Sequence, residues 1–335
     1  MRIDVENIEK IKIDEKDRKI LYILSKDSRK TYNEIAKEVL LSPDTVSYRV
    51  DRLIRNGVII KFIPDVAFRQ FGVYKYSVFM QLIELSQEKE KAFINDLQKN
   101  PNVISVMQYT DKFDMEIVMV ARGINDFDEI LNKLVNKHTD IIDDVSTFQQ
   151  VVSYKSAFLP DNFSKLKKDI KVPRKKPKGN VRIDEKDIKL LSLLNKNSRE
   201  SSYILADKMG TSVDTVLYRI KKLEEHDVIH RFTTVINLSR LGFNWYTFLV
   251  NLTSITKDRE SELKEFVRKH NNILRCVRGI GEWTLVFYMI APSQPEFHKA
   301  VNELRTRFRD IIKNYDTLLS YKEHKFEEYE RCLGN

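Results

Sequence analysis

Cysteine is nearly absent from this chain of 335 residues. There are two, Cys276 and Cys332. They match no metal-ligand spacing and suggest no disulfide framework, so a reducing, intracellular setting is the simplest reading. Glycine (nine) and proline (eight) are scarce as well. Extended disorder is therefore not expected, apart from one segment described below. No apolar run approaches the length of a membrane span. The opening residues, Met1-Arg-Ile-Asp-Val-Glu-Asn, are charged from the start and lack the apolar core of a signal peptide. The expectation is a cytoplasmic protein with no membrane partner. Nucleophile motifs, metal spacings and glycine-rich phosphate loops are also missing. His138, His226, His230 and His324 are scattered and share no local motif. An enzyme is not expected, nor a metal site, and no cofactor is assigned.

What is present is an ordinary apolar fraction, 42%, with 32% charged residues and a formal net charge of +9. Much of the excess is local. Residues 161–182 hold nine Lys/Arg against two acids, a local surplus of seven. The remainder is close to neutral, so total charge alone does not point to a polyanionic partner.

The chain repeats itself. Ile13-Asp-Glu-Lys-Asp17 recurs as Ile183-Asp-Glu-Lys-Asp187, a shift of 170 residues. The same shift, without gaps, aligns Ser28-Arg29 with Ser198-Arg199, Asp44-Thr-Val46 with Asp214-Thr-Val216, and Tyr48-Arg49 with Tyr218-Arg219. It continues through Val58-Ile59 and Val228-Ile229 to Gly72 and Gly242. Between the copies lies Lys171-Val-Pro-Arg-Lys-Lys-Pro-Lys-Gly179, which reads as an extended, self-repelling linker. Its Lys175, Lys176 and Lys178 could release counterions along phosphates or simply form a solvated tether.

Each copy divides in two. The first parts, within 11–63 and 181–233, read as three helices. Asp14 and Asp184 suit a helix N-cap, with Asp17 and Asp187 at the third helical position. A short second helix is expected at about Tyr32–Val39. A third is capped by Ser42 or Ser212, with Pro43 at its first position in copy one. Val46, Val50 and Leu53, matched by Val216, Ile220 and Leu223, form its buried stripe. The second parts, 72–160 and 242–330, alternate strand and helix. In copy one strands are expected at Val73–Leu85, Val103–Tyr109, Met115–Ala121 and Val145–Lys155, with helices at Glu88–Lys99 and Phe127–His138. That β-α-β-β-α-β order is the ferredoxin-like unit. The fold class is α+β: two winged/helix-turn-helix heads, each followed by a ferredoxin-like domain, with a basic linker at 161–180.

A helix fits the major groove of B-DNA, and its N-terminal residues reach base edges. The exposed side of the third helix offers Thr45, Ser47, Tyr48, Arg49 and Arg52 in copy one. Copy two offers Thr215, Leu217, Tyr218, Arg219, Lys221 and Lys222. Ser47, Tyr48, Leu217 and Tyr218 suit base or methyl contact. Arg49, Arg52, Arg219, Lys221 and Lys222 suit phosphates, which position without specifying. Solvated helix faces are the plain alternative. The doubled pattern in a three-helix setting favours double-stranded DNA as the partner.

The motif Ile-Asp-Glu-Lys-Asp, then Ser-Arg, Ser42-Pro-Asp-Thr-Val-Ser-Tyr-Arg-Val50, Gly57-Val-Ile59 and Phe71-Gly72 resembles the Lrp/AsnC (feast/famine) regulators, nearly throughout and twice over. The resemblance implies a sequence-specific transcription regulator and a small-molecule effector such as an amino acid. It also implies self-association through the ferredoxin-like domains, within or between chains. Copy one has Leu40 where a turn glycine is usual, and copy two has Asp227 in place of Gly57. The family's Gly-x-x-Asp effector motif is intact in neither copy. Asp111 and Asp114 keep the acid and lose the glycine, while Gly281 and Thr284 do the reverse. Amino-acid sensing is thus read as degraded or redirected to another ligand. Two rivals stay open. A siroheme-decarboxylase-like enzyme would resemble this fold with a His-Arg pair where Phe68-Arg69 and Leu238-Ser239 stand. A ligand sensor that no longer binds DNA is the other.

Overall fold

A computed structural model describes residues 1–4, 9–83, 86–164, 166 and 181–327. The basic stretch Lys171–Gly179, with Lys175, Lys176 and Lys178, lies outside the described residues, as does Cys332. In copy one, helices α1 (Glu15–Lys26), α2 (Tyr32–Val39) and α3 (Pro43–Arg55) lead into strand β1 (Ile59–Val66). Then follow β2 (Tyr74–Leu82), α4 (Gln87–Lys99), β3 (Val103–Tyr109), β4 (Met115–Ala121), α5 (Ile124–Lys137) and β5 (Ile142–Ser156). Copy two repeats this order as α6 (Glu185–Lys196), α7 (Ser202–Met209), α8 (Val213–Glu225) and β6 (Ile229–Ile236). It continues with β7 (Asn244–Leu252), α9 (Lys257–Lys269), β8 (Ile273–Gly281), β9 (Leu285–Ala291), α10 (Gln294–Arg307) and β10 (Ile312–Phe326). No helix among the described residues is long and apolar enough to cross a membrane.

The elements assemble into two compact units, each drawn from both repeats. Of the described residues, one unit contains 1–4, 9–10, those within 74–162, and 238–326; the other contains 11–73, 163–164, 166, 181–237 and 327.

In the first unit, each copy forms a four-stranded antiparallel sheet, β5-β2-β4-β3 or β10-β7-β9-β8. One face carries the copy's two helices. Tyr76, Val78 and Met80 of β2 pack there with Phe93, Leu97, Phe127 and Leu131. The period of two sends Ser77 and Phe79 to the other face, which would be open in a single copy. The partner sheet covers it: β5 pairs with β8 and β10 pairs with β3, closing an eight-stranded barrel. The two junctions are equivalent. Ser153 faces Val277, and its repeat equivalent Glu323 faces Met107.

Among apolar side chains such as Phe79 and Phe148, the barrel interior holds a polar, asymmetric cluster. Glu116 is 3% exposed. It accepts hydrogen bonds from the hydroxyls of Tyr109 (2.7 Å), in its own copy, and Tyr288 (2.6 Å), in the other. Tyr109 also meets Thr247 at 2.8 Å, Gln150 donates to Ser77 at 3.0 Å, and Arg275 donates to Gln150 at 2.8 Å. Burial pushes the Glu116 carboxyl up from its ordinary value, against the pull of the two tyrosine donors. The repeat equivalents of Glu116 and Tyr109 are Val286 and Gly279.

The second unit holds both three-helix heads. Their strands β1 and β6 pair antiparallel into a ribbon, and α1 packs on β6 while α6 packs on β1. This ribbon is where the sequence reading falls short: it expects only three helices in each first part and no strand at Ile59–Val66 or Ile229–Ile236. Pro64 inside the run argues against a strand, yet the two-stranded ribbon leaves each strand an open edge where a missing N–H is harmless. Other boundaries also move. The helix expected from Phe127 starts at Ile124, and the strand expected from Val145 starts at Ile142. The segment expected to open the linker is not wholly solvated: Phe163 and Ser164 are buried, and the Arg18 guanidinium lies 5.2 Å from the Phe163 ring.

Candidate nucleic-acid interface

Each head is framed by helix caps. Asp14 accepts from the Asp17 amide at 2.8 Å while the Asp17 carboxylate accepts from the Asp14 amide, a reciprocal box. Thr31 and Glu34 form a second one at α2. Ser42 caps α3 and leaves Pro43 where no N–H is needed. Copy two repeats the first box with Asp184 and Asp187, and caps α8 with Ser212.

The boxes do more than start helices. Asp17 is fully buried and receives Arg49 at 2.8 Å and Arg52 at 2.5 Å, both from α3. Asp14 receives Arg49 at 2.7 Å. In copy two, Asp187 receives Arg219 at 2.6 Å and Lys222 at 2.7 Å, and Asp184 receives Arg219 at 2.8 Å. Burial opposes ionisation of Asp14 and Asp184, but the capped amide and the guanidinium outweigh it and hold both carboxyls below their ordinary value. These charge-assisted bonds fasten the third helix to the first.

The structure therefore divides the residues expected to meet DNA. Arg49, Arg52, Arg219 and Lys222 are engaged with the aspartates, although the Arg52 side chain keeps 37% exposure. Thr45 and Thr215 are half-buried, each bonded through its hydroxyl to the cap serine at 2.8 Å. Ser47 is half-buried and Lys221 exposed. Tyr48, Leu217 and Tyr218 stand out into solvent at 60%, 49% and 68% exposure. The outer surface of each third helix is thus more aromatic and less cationic than its sequence suggests.

The candidate effector residues have structural partners. Asp114 accepts from the Leu82 amide at 2.8 Å, and Thr284 accepts from the equivalent Leu252 amide at 3.2 Å. Threonine thus does the loop-pinning work of the aspartate it replaces. Asp111 accepts from the Leu319 amide on β10. Gly281 has φ +142, and a Cβ there would lie 2.1 Å from the Thr147 carbonyl oxygen. An open groove of about 510 Å³ lies elsewhere in this unit, lined by Phe266, Lys269, His270 and Glu303. Among the described residues no cluster suits a metal ion.

Sequence reasoning missed the roles of Ser28, Arg29, Ser198 and Arg199. The serine hydroxyls meet at 2.9 Å, and each arginine reaches backbone carbonyls of the other head. Their only signal was the repetition of the Ser-Arg pair.

A model for winged helix-turn-helix DNA-binding matches residues 13–60, and one for the AsnC-type helix-turn-helix domain matches residues 183–224. An uncharacterized HTH-type transcriptional regulator of Pyrococcus abyssi is 32% identical over 133 residues, 39% of this chain and 83% of that protein. The HTH-type transcriptional regulator LrpB of Bacillus subtilis is 27% identical over 147 residues, 43% of this chain and 93% of its own length. The crystal structure of the siroheme decarboxylase NirDL in complex with an iron-uroporphyrin III analogue is similar in fold over 95% of this chain and 94% of that one. Its TM-score is 0.61 at 15% identity, a likeness of fold alone. By its relatives and its doubled heads, the chain belongs to the Lrp/AsnC family of DNA-binding, helix-turn-helix transcription regulators, with the family's unit present twice in tandem.

Proposed function

We propose that this regulator reads two different DNA half-sites, one with α3 and one with α8. The observation that supports this is the pair of exposed tyrosines, Tyr48 and Tyr218, at equivalent positions of two firmly capped helices. Their neighbours differ. Ser47 offers a hydroxyl for a base edge, whereas Leu217 offers only apolar surface, as a thymine methyl would accept. Asp51 would repel phosphate where Lys221 attracts it. Head one therefore reads with hydrogen bonds and head two grips through Lys221 and apolar contact. Selection of bound fragments from genomic DNA should yield an asymmetric site. A palindrome, or no enriched sequence, would refute the reading.

The family's response to a small molecule is a further part of the proposal. Asp111, Asp114, Gly281 and Thr284 support it poorly, since each is engaged in holding the barrel. We infer that amino-acid sensing at these loops is weakened or redirected. Calorimetric titration with the common amino acids should give no heat above dilution; saturable binding of one of them would reverse that inference.

The NirDL fold favours a second reading, an enzyme acting on a tetrapyrrole. Against it, Phe68 and Leu238 are buried apolar residues where that reading wants histidine. An absorbance spectrum of the purified protein after incubation with an iron tetrapyrrole decides between them, a Soret shift favouring the enzyme.

A further inference from the structure

The two heads form one body around a local two-fold axis. In the β1–β6 ribbon Ile63 faces Thr233, its own repeat equivalent. Ser28 and Ser198, also equivalents, touch hydroxyl to hydroxyl at 2.9 Å. Contacts between a residue and its counterpart mark a two-fold relation. Around this axis each head is completed by the other. The Ser28 amide donates to the Phe232 carbonyl and the Ser198 amide to the Phe62 carbonyl, at 3.0 and 2.9 Å. Arg29 donates to the carbonyls of Ser198 and Glu200, and Arg199 to those of Ser28 and Lys30. The guanidinium of Arg29 lies 5.3 Å from the Phe232 ring, and that of Arg199 lies 5.4 Å from Phe62.

We propose that Arg29 and Arg199 are positioning residues that hold the two reading helices at one spacing, so that the DNA target is an inverted pair of unlike half-sites at a single separation. This rests on the DNA-reading assignment above. The chemistry suits a stiff latch. A planar guanidinium bonding two backbone carbonyls within cation–π range of a ring loses several contacts at once if it turns. Swinging one head would also break the ribbon and the packing of α1 on β6 and of α6 on β1. The sequence difference between the helices makes the half-sites unlike, while the backbone symmetry makes them inverted. Inserting about five base pairs carries the second half-site to the opposite side of the duplex. A locked pair cannot follow it.

The test uses the full chain and its selected site. Binding is measured by anisotropy on duplexes with about two, five and ten base pairs inserted at the centre, and on one with a half-site reversed. The expected result is a loss of at least about tenfold for every altered duplex, as one half-site's contacts are forfeited. Equal affinity across the series overturns the proposal. A second variant, Ser28→Cys with Ser198→Cys, is cross-linked by oxidation across the axis. The cross-linked chain should bind the unaltered site within about twofold of the reduced one, because it is locked in the binding geometry. Loss of binding on cross-linking, restored by reductant, also overturns it. Should the native chain bind no DNA sequence-specifically, it is the half-site reading that fails, before spacing is reached.

Discussion

Asp17 and Asp187 show how one side chain can decide both a helix and a site. Each closes a capping box, is fully buried, and anchors two cations from the third helix of its head. Asp17→Ala leaves Arg49 and Arg52 without their buried partner and should cost about 3 kcal/mol of stability, read by urea unfolding. Lys221→Ala should leave stability unchanged. It should lower the slope of log K against log salt by about one, as loss of one phosphate contact does. If Arg49→Ala flattened the salt slope without loss of stability, the division between anchoring and DNA-facing residues would be wrong. Leu40 gives a second test. It has φ 55 where copy two has Gly210 at φ 64. A leucine in the left-handed region carries a steric cost that glycine does not. Leu40 is also 82% exposed, so little packing offsets that cost. Leu40→Gly should therefore stabilise the head by about 1 kcal/mol, and an unchanged melting temperature would contradict this.

Among the elements, the ferredoxin-like helices were legible because each has one face on a core, and the strands as β-rich runs bounded by turn residues, although closure of the barrel buries their second face as well. Helical periodicity in α4 and α5 follows directly from one-sided burial. β1 was not legible, because Pro64 breaks its pattern and its partner β6 lies 170 residues away. The caps and the exposed tyrosines of α3 and α8 were visible in sequence. The engagement of Arg49 and Arg219 was not, since it depends on how the third helix leans on the first. The barrel junction was equally hidden. At Gly279 a Cβ would lie 2.2 Å from the Gln149 carbonyl and 2.4 Å from the Phe148 ring. Gly279→Ala should thus destabilise the barrel by about 1–3 kcal/mol, measured by calorimetry. Copy one has Tyr109 at this position, so two first copies could not meet in the same way. The pairing of unlike halves is written into the interior.

At the scale of the whole chain, the doubled unit builds a barrel in one compact unit and a pair of heads in the other, each from both copies. Its stability carries two opposite dependences on pH. The raised pKa of Glu116 means that the folded state holds its proton more tightly. That contribution is complete below the ordinary carboxylate range and is lost as pH rises through the folded value. The lowered pKa values of Asp14 and Asp184 act the other way. Their contribution is present above the ordinary range and is lost as pH falls through the folded values. Glu116→Gln should therefore remove the decline in stability that sets in as pH rises above the ordinary carboxylate range, while leaving the acid limb in place. A decline as steep as that of the native chain would exclude Glu116 as its source. The central claim concerns the two readers. Ser47→Ala with Tyr48→Ala, and separately Leu217→Ala with Tyr218→Ala, leave the aspartate anchors intact. Hydroxyl-radical footprinting of both variants on one selected site tests that claim most directly. The account predicts that each variant loses protection over a different half of the footprint. Loss over the same bases in both, or undiminished protection in both, would contradict it.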